Sequence, residues 1–229
     1  MSKITLVIVA GGSGRRMGAG INKVFLKIGR KSIIFCTLNT FSHCKQIDEI
    51  IVVTRKEDIF KMKAECSIFP KVKKVVCGGE TRQESVYNGL LAVKNSEYVI
   101  ISDAARALVT EEIIENCIDD MKKYKASACG VPCKDTLKLA DENGFIEKTL
   151  DRSRIYNIQT PQCFLYDEIF DAHKRARKDK FKATDDCMLY EKYIGKVKIT
   201  QSSYENIKIT TADDLVISEN ILKKREDEK

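Results

Sequence analysis

A glycine-rich, basic segment near the amino terminus is the part of this sequence best suited to chemistry. The hydrophobic segment 4–10 is followed by Gly11-Gly12-Ser13-Gly14-Arg15-Arg16-Met17-Gly18, and then by Lys23. Glycines let successive backbone N–H groups approach an anion closely, because no Cβ stands in the way. The arginines and Lys23 add positive charge that backbone amides cannot supply. We therefore predict that this segment binds a ligand with several phosphates.

The distribution of charge supports a small phosphorylated ligand. The first acidic residue is Asp48, and eight lysines and arginines precede it, whereas the whole chain has 40 basic and 33 acidic residues and a net charge of +7. Elsewhere the basic residues alternate with acidic ones, and no aromatic-rich segment typical of nucleic-acid binding is present. We expect no nucleic-acid partner.

Two common phosphate-binding motifs do not match this loop. The dinucleotide-binding fingerprint requires a third glycine, and an acidic residue about 20 residues further on. The loop ends in Arg15-Arg16-Met17, and Asp48 comes too late. A P-loop would close with Gly-Lys-Ser or Gly-Lys-Thr, which is also missing.

Short apolar segments typical of strands alternate with helical patterns through the first 132 residues. This alternation predicts βαβ units, and so a single Rossmann-like α/β domain over residues 1–229, with a mainly parallel twisted sheet and helices on both faces. Ligands of such sheets bind beyond the carboxyl ends of the strands, where loops 11–23, 78–82 and 103–106 should meet. The predicted strands are 4–10, 49–54, 72–77, 98–102 and 126–132, and the predicted helices are 32–44, 56–66, 81–93 and 110–124.

The pattern changes after Pro132. Segments 135–139 and 145–149 flank a turn, which predicts a protruding β-arm within residues 134–160. An isolated hairpin is marginally stable, so we expect the arm to pack on a partner subunit in a homodimer. Further along, we predict helices at 166–178, 184–193 (with Thr184 as N-cap) and 211–224, and strands at 197–200 and 206–209.

Cysteine usage and hydropathy predict a cytoplasmic location. The nine cysteines contain no CxxC pair, which is typical of reduced structural thiols. No segment approaches the roughly 18 to 20 apolar residues of a membrane span, and the amino-terminal apolar segment meets a basic loop rather than a cleavage site. His43 and His173 lie on predicted helices outside the loops, and we interpret them as structural or surface residues.

Eight segments in order, covering nearly the whole chain, carry a resemblance that is more specific than any one of them. Together they resemble the 2-C-methyl-D-erythritol 4-phosphate cytidylyltransferases of the non-mevalonate isoprenoid pathway, within the nucleotide-diphospho-sugar transferase fold. The segments are 10–18 with Lys23, 78–86, 103–106, 135–138, 151–153, 159–162, 184–186 and 206–210.

The resemblance implies transfer of CMP from CTP to 2-C-methyl-D-erythritol 4-phosphate. It implies that Arg16 and Lys23 are catalytic and that the arm completes the site of a second subunit. Mg²⁺ is expected as cofactor because two polyanions must meet. Asp103 is the one loop acid that we nominate as its ligand, with contact to the acceptor hydroxyls as the alternative role. The implied nucleotide-binding residues are Ala10, Gly11, Gly12, Ser13, Gly14, Gly79, Glu80, Arg82 and Ser85. The implied substrate-positioning residues are Arg152, Lys208, Asp103, Arg106, Thr136 and Thr184.

The chain departs from the family pattern beside two of these groups. The family usually has proline before the lysine and glutamine after it, where this chain has Asn22 and Val24. It usually has histidine before the aspartate loop and proline after it, where this chain has Ser102 and Ala107. These changes leave the charged groups in place and alter the backbone that directs them.

Several alternatives remain open. The acceptor could be another polyol phosphate, such as ribitol 5-phosphate, or the protein could be a CTP-binding paralogue with little turnover. Single residues also have simpler interpretations. Arg152 and Lys208 could be solvated surface charges, Asp103 could cap a turn, and Thr184 could serve only as a helix cap.

Overall fold

The computed structural model describes residues 2–12 and 22–227. The main-sheet strands are β1 (Ile4–Val9), β4 (Glu49–Thr54), β5 (Val72–Cys77), β6 (Tyr98–Asp103), β7 (Ala126–Pro132), β10 (Tyr156–Leu165) and β11 (Lys198–Gln201). Two small hairpins are formed by β2 (Lys27–Ile28) with β3 (Lys31–Ser32), and by β8 (Lys138–Ala140) with β9 (Ile146–Thr149). The helices are α1 (Ile33–His43), α2 (Ile59–Cys66), α3 (Arg82–Ala92), α4 (Glu111–Tyr124), α5 (Tyr166–Lys178), α6 (Asp186–Tyr193) and α7 (Ala212–Asp227).

The main sheet has the strand order β11-β7-β10-β6-β1-β4-β5. β1 pairs in parallel with β4 and β6, β4 with β5, and β11 with β7. β10 is antiparallel to its neighbours, β6 and β7. The predicted α/β fold with a mainly parallel sheet is confirmed.

Apolar side chains cover both faces of this sheet. Leu6 and Ile8 of β1 belong to a buried cluster that includes residues of α1, α2 and α4. Val7 points to the other face and belongs to a second cluster with residues of α3 and α5. This alternation follows from the two-residue period of a strand, and it places helices on both faces, as predicted.

Polar side chains cap the amino-terminal ends of three helices. Ser32 and Thr110 cap α1 and α4 by accepting hydrogen bonds from Phe35 N and Ile113 N. Thr81 and Glu84 form a capping box at the start of α3, in which each side chain satisfies an otherwise unpaired backbone N–H.

Helix α3 packs unusually close to the sheet at Gly89. A Cβ at this position would lie 2.4 Å from Val7 Cγ1 and 2.9 Å from Val53 Cγ2. Glycine is therefore required by the close approach of α3 to β1 and β4.

The predicted arm is divided in the structure. The β8–β9 hairpin is exposed along its whole length, as expected for a protruding element. Residues 156–160, however, lie in β10 of the main sheet, where Tyr156 to Ile158 pair with Pro132 to Gly130 of β7. The arm therefore ends before residue 156.

Two local predictions are wrong. Thr184 is not the N-cap of α6, because Asp185 takes this position and accepts a hydrogen bond from Met188 N at 2.9 Å. Segment 206–209 is not a strand. Its Ile209 N donates to Ala105 O at 2.9 Å, and the buried Asn206 side chain donates to Thr160 O at 3.1 Å. The segment is a loop held by backbone and side-chain hydrogen bonds.

Candidate active site

A cleft of about 620 Å³ lies at the carboxyl ends of the central parallel strands. The three loops that were predicted to meet all contribute described residues to it, so this prediction is confirmed. The residues that line the cleft are Val9, Ala10, Gly11, Gly12, Lys23, Val24, Arg55, Gly79, Glu80, Thr81, Arg82, Ser85, Asp103, Ala105, Lys208 and Thr210.

The first wall of the cleft is the end of β1 and the glycines that follow it. Ala10 N donates to Val53 O at 2.7 Å, which extends the contact between β1 and β4 by one residue. The Cβ that a side chain at Gly11 would add lies 3.9 Å from Arg55 Cγ. Three predicted residues of this loop, Ser13, Gly14 and Arg16, lie outside the described residues.

Lys23 lies in a short 3-10 helix, Lys23–Phe25, just after this loop. Its Nζ donates to Ile209 O at 2.8 Å, and its Cε would lie 3.7 Å from a Cβ at Gly12. The lysine therefore lies between the glycine loop and the segment that carries Lys208, and it brings a positive charge to the cleft.

The second wall is the amino-terminal end of α3. A Cβ at Gly78 would lie 2.6 Å from Ser85 Oγ, and a Cβ at Gly79 would lie 2.4 Å from Glu84 Cβ. Only glycine permits this close turn onto the helix. Ser85 Oγ accepts from Gly79 N at 3.2 Å and donates to Thr81 O at 2.9 Å, so that the loop is held against the first turn of α3.

The third wall is a network of ion pairs around Asp103. Its Oδ1 accepts from Arg82 Nε at 2.9 Å, and its Oδ2 lies 2.5 Å from Lys208 Nζ. Arg82 Nη1 also contacts Asp186 Oδ2 at 2.9 Å. Burial alone would raise the pKa of Asp103, but the charges of Arg82 and Lys208 hold it well below its usual range. Asp103 is thus ionised and links two cleft cations.

Four predicted residues do not line the cleft of this chain. Arg106 is buried behind it and donates from Nη1 to Asn206 O at 2.6 Å. Arg152 and Thr136 are exposed in the arm segment, where Arg152 Nη1 donates to Lys134 O at 2.7 Å. Thr184 is exposed before α6, and its hydroxyl contacts Met188 Sδ at 3.7 Å.

Arg55 and Thr210 also line the cleft, and neither was predicted as a site residue. Arg55 directly follows β4, so the rule that ligands bind beyond strand carboxyl ends would have identified it. Thr210 closes the last of the resembling segments, and its hydroxyl donates to Asp214 Oδ2 at 2.9 Å.

Comparisons with known proteins agree with this geometry. A family model described as IspD, 2-C-methyl-D-erythritol 4-phosphate cytidylyltransferase, matches residues 4–224. Enzymes of this name from Clostridium botulinum strain 657 and from Clostridium acetobutylicum are each 48% identical to this chain. The first comparison covers 98% of this chain and 99% of the relative, and the second covers 95% and 96%. This chain belongs to the 2-C-methyl-D-erythritol 4-phosphate cytidylyltransferase family.

A solved structure described as 4-diphosphocytidyl-2C-methyl-D-erythritol synthase, from Anaerococcus prevotii, is similar to this chain with a TM-score of 0.88. It is 34% identical, over 97% of this chain and 96% of that chain. Membership of the cytidylyltransferase family confirms the resemblance noted in the sequence, and with it the enzyme class.

Buried contacts accommodate the departures from the family pattern. Ser102 Oγ lies 3.1 Å from Thr160 Oγ1, Val24 packs in the cluster around β1, and Ala107 packs with Ile209. Asn22 is 1% exposed and makes three side-chain hydrogen bonds.

In residues 2–12 and 22–227, no helix has the length and apolar character needed to cross a membrane.

Proposed function

We propose that this protein transfers CMP from CTP to 2-C-methyl-D-erythritol 4-phosphate, giving 4-diphosphocytidyl-2-C-methyl-D-erythritol and pyrophosphate. The observation that carries the proposal is that Lys23 and the linked pair Arg82 and Lys208 line a single cleft beside a glycine loop. A cleft with fixed cations on two walls suits a reaction in which two phosphorylated molecules meet.

In the proposed reaction, a phosphate oxygen of the acceptor attacks the α-phosphorus of CTP. A new P–O bond forms, the bond to the bridging oxygen of pyrophosphate breaks, and the electron pair leaves with pyrophosphate. The acceptor phosphate is already an anion, so that no side chain needs to remove a proton. The protein contributes position and charge, which stabilise the negative charge that builds up on the α-phosphate and the leaving group.

Lys23 is the residue we assign to this charge stabilisation. Its Nζ is held by the hydrogen bond to Ile209 O, so its position is fixed before the substrates bind, which is what effective electrostatic catalysis requires. The resemblance assigns the same role to Arg16.

We assign Lys208 to the acceptor phosphate. Its side chain is 40% exposed and is tethered to Asp103, which is bound to Arg82 in turn. Such a tether limits the conformations of a long lysine side chain and lowers the entropy lost on binding. Asp103, with Arg106 buried behind it, would then orient the acceptor.

We further propose that the arm completes the cleft of a second copy in a homodimer. The hairpin carries the exposed apolar side chains Leu139, Phe145 and Ile146, of which Phe145 is 72% exposed. Burial of these side chains between subunits would bring the Thr136 and Arg152 region of one chain to its partner.

A mixing experiment tests this proposal about the arm. Lys23→Ala and Arg152→Ala variants are each prepared, unfolded together and refolded. If each arm serves the neighbouring cleft, a mixed dimer has one cleft with both residues intact, and activity returns to a fraction of wild type. If each chain supplies its own Arg152, the mixture stays as inactive as the separate variants.

Mg²⁺ is the cofactor we propose, carried mainly by the phosphates of CTP. Both carboxylate oxygens of Asp103 are already bound by cations, and no group of three or more possible metal ligands occurs among the described side chains. This site suits a Mg²⁺ ion that is bound mainly by water and by phosphate oxygens of the substrate. It suits an ion bound mainly by protein side chains less well. If Asp103 ligates the ion nevertheless, Asp103→Asn will raise the Mg²⁺ concentration needed for half-maximal activity.

The proposed location is the cytoplasm. All nine cysteines are free thiols, which suits a reducing compartment.

One assay tests the reaction. Purified protein is incubated with CTP, Mg²⁺ and each candidate polyol phosphate, and pyrophosphate release is followed. We expect release with 2-C-methyl-D-erythritol 4-phosphate. Release with ribitol 5-phosphate alone would overturn the proposed acceptor, and tight CTP binding without release would indicate a paralogue that does not turn over.

A further inference from the structure

A buried carboxylate, Asp186, lies behind the cleft and has no part in the reaction proposed above. It is the first residue of α6, and its side chain is 1% exposed. Its Oδ2 accepts from Arg82 Nη1 at 2.9 Å, and its Oδ1 accepts from His173 Nε2 at 3.0 Å. One oxygen is therefore bound by a cleft residue, and the other by a residue of α5.

Stability alone does not account for a buried ion pair at this place. The free energy lost when two charges leave water often exceeds what their attraction returns, and apolar side chains of similar volume can replace such pairs without loss. Geometry offers a better reason. Arg82 is held at two different nitrogens, with Nε bound by Asp103 and Nη1 bound by Asp186. A planar guanidinium held at two points has a fixed orientation.

Asp186 is itself firmly held. The His173 ring that donates to it is completely buried on α5. The backbone N of Asp186 also donates to Gln162 Oε1 on β10 at 3.2 Å. Because contacts from a helix and from the main sheet both fix this residue, it can serve as a rigid anchor for Arg82.

The anchored arginine leads to the acceptor side of the cleft. Asp103 accepts from Arg82 Nε with Oδ1, and its Oδ2 lies 2.5 Å from Lys208 Nζ. The side chain of Lys208 is 40% exposed, whereas that of Asp103 is 10% exposed. The contacts that begin at His173 and Asp186 therefore end at Lys208, the residue that we assign to the acceptor phosphate.

The charges around Arg82 show what Asp186 contributes. Burial alone would raise the pKa of Asp103 and of Asp186, but the charge of Arg82 lowers both. Arg106 is a buried like charge that interacts unfavourably with Arg82. Without the Asp186 charge, Arg82 would share Asp103 with Lys208 and would still face the repulsion from Arg106. Its orientation would then no longer be fixed.

We propose that Asp186 and His173 are positioning residues for acceptor binding, and that they act through Arg82 to hold Asp103 and Lys208 in the arrangement that receives the acceptor phosphate. This inference rests on the proposed function. It gives a role in substrate binding to two buried side chains that do not line the cleft.

The test measures kcat and the KM of each substrate in the pyrophosphate assay. Asp186→Asn keeps the size of the side chain and removes the charge that holds Arg82. Misplacement of a binding group by a change outside the site can cost about 100-fold. We therefore expect kcat/KM for the acceptor to fall by about tenfold or more, mainly through KM, whereas the KM for CTP should change by less than about twofold.

His173 provides a second pair of variants that leaves Asp186 intact. His173→Leu removes the donor to Asp186 and should raise the KM for the acceptor. His173→Gln places an amide N–H where Nε2 donates, and should return this KM toward the wild-type value. Circular dichroism identifies any variant that fails to fold. If Asp186→Asn does not fold, the two His173 variants carry the test.

Tyr190→Phe is the matched control for loosening of α6. The Tyr190 hydroxyl donates to Glu168 Oε2 and so also joins α6 to α5, about one helical turn beyond Asp186. Loss of this hydroxyl should lower stability and leave the KM values of both substrates unchanged.

A double variant shows whether Asp186 acts through Arg82. If it does, adding Asp186→Asn to Arg82→Gln should cause no further loss of kcat/KM for the acceptor, because the two residues belong to one network. Additive losses would show that Asp186 acts by another route, and would overturn the proposal.

Three further results would also overturn it. They are an unchanged KM for the acceptor in Asp186→Asn, an equal rise in the KM of both substrates, and a KM for the acceptor that Tyr190→Phe raises as much as Asp186→Asn does. Failure of the proposed function is distinct, because wild-type protein would then release no pyrophosphate with 2-C-methyl-D-erythritol 4-phosphate. Calorimetric titration with this polyol phosphate needs no turnover and would still compare its binding to wild type and to Asp186→Asn.

Discussion

His173 on α5 donates from Nε2 to Asp186 Oδ1 on α6 at 3.0 Å, and both side chains are buried. The second oxygen of Asp186 accepts from Arg82 Nη1 at the cleft. A buried carboxylate therefore connects the packing of two helices to a cleft arginine. The interpretation of His173 as a structural residue agrees with this contact.

Asp186→Asn should destabilise the protein. The variant removes a charge that faces both His173 and Arg82, and breaking one member of a buried pair of this kind costs about 2–4 kcal/mol. Urea denaturation measures the loss. Asp119→Asn, an equivalent change at an exposed residue of α4, should change stability by less than about 0.5 kcal/mol. Equal stability of the two variants would show that the Asp186 contacts are not needed.

Acid should weaken the fold through the same carboxylates. Burial alone would raise the pKa of Asp103 and of Asp186, but the positive charge of Arg82 lowers both, with Lys208 helping at Asp103 and His173 at Asp186. The unfolded pKa is about 3.9. The stability that these groups contribute is therefore complete above about pH 5, and is lost as pH falls from there toward their lower folded-state values.

The pH experiment compares urea midpoints at several pH values between 7 and 2. Wild type should lose more stability over this range than Asp186→Asn, because the variant lacks one of the titrating groups. The exposed control Asp119→Asn should follow wild type. Parallel curves for wild type and Asp186→Asn would contradict the assigned shift.

Lys23→Ala should lower kcat/KM by about 10²- to 10³-fold with little change in stability. The lysine supplies a fixed charge where negative charge develops, and loss of one such group has an effect of this size. Pyrophosphate release gives the rate, and Lys27→Ala at an exposed position close by is the matched control. Turnover that stays at the wild-type level would remove Lys23 from the mechanism.

Alkylation should modify Cys77 first. Cys77 is the exposed thiol of the nine, Cys36 is half-buried, and the others are buried. Burial raises the pKa of Cys36, and it raises the pKa of Cys66 to about 12, which lowers the fraction of reactive thiolate. Mass spectrometry after brief iodoacetamide treatment measures the order. Early labelling of Cys66 in folded protein would contradict the burial described for α2.

The parallel half of the fold was predictable because its strands are continuous apolar segments. β10 was missed because Gln159, Pro161 and Gln162 interrupt the apolar pattern. These glutamines are buried nevertheless, since Gln162 Nε2 donates to Asp185 Oδ2 at 3.0 Å and Gln159 Oε1 accepts from Asn206. A sequence pattern records polarity, whereas burial depends on partners that come from distant segments.

The parts of the cleft that could be predicted from the sequence are those where the course of the backbone requires glycine. Gly78 and Gly79 are required by close approach, and such requirements leave a direct trace in residue type. The position of Arg55 after β4 was visible in the sequence, but its contacts with Asp58, and those of Asp58 with Asn22, were not. The strand predicted at 206–209 was wrong for a related reason. Ile207 and Ile209 alternate with polar residues as in a strand, but the segment does not pair with a strand of the sheet, and Ile209 N donates instead to Ala105 O.

The close contact at Gly89 makes Gly89→Ala a candidate temperature-sensitive variant. Alanine is the better helix former by about 1 kcal/mol, yet its methyl group would lie 2.4 Å from Val7 Cγ1, and overpacking of a core costs about 1–3 kcal/mol. Gly89→Ala should therefore lift α3 slightly, together with Arg82 and Ser85. A strain that relies on this enzyme and carries the substitution is expected to grow at low temperature and to stop growing when warmed.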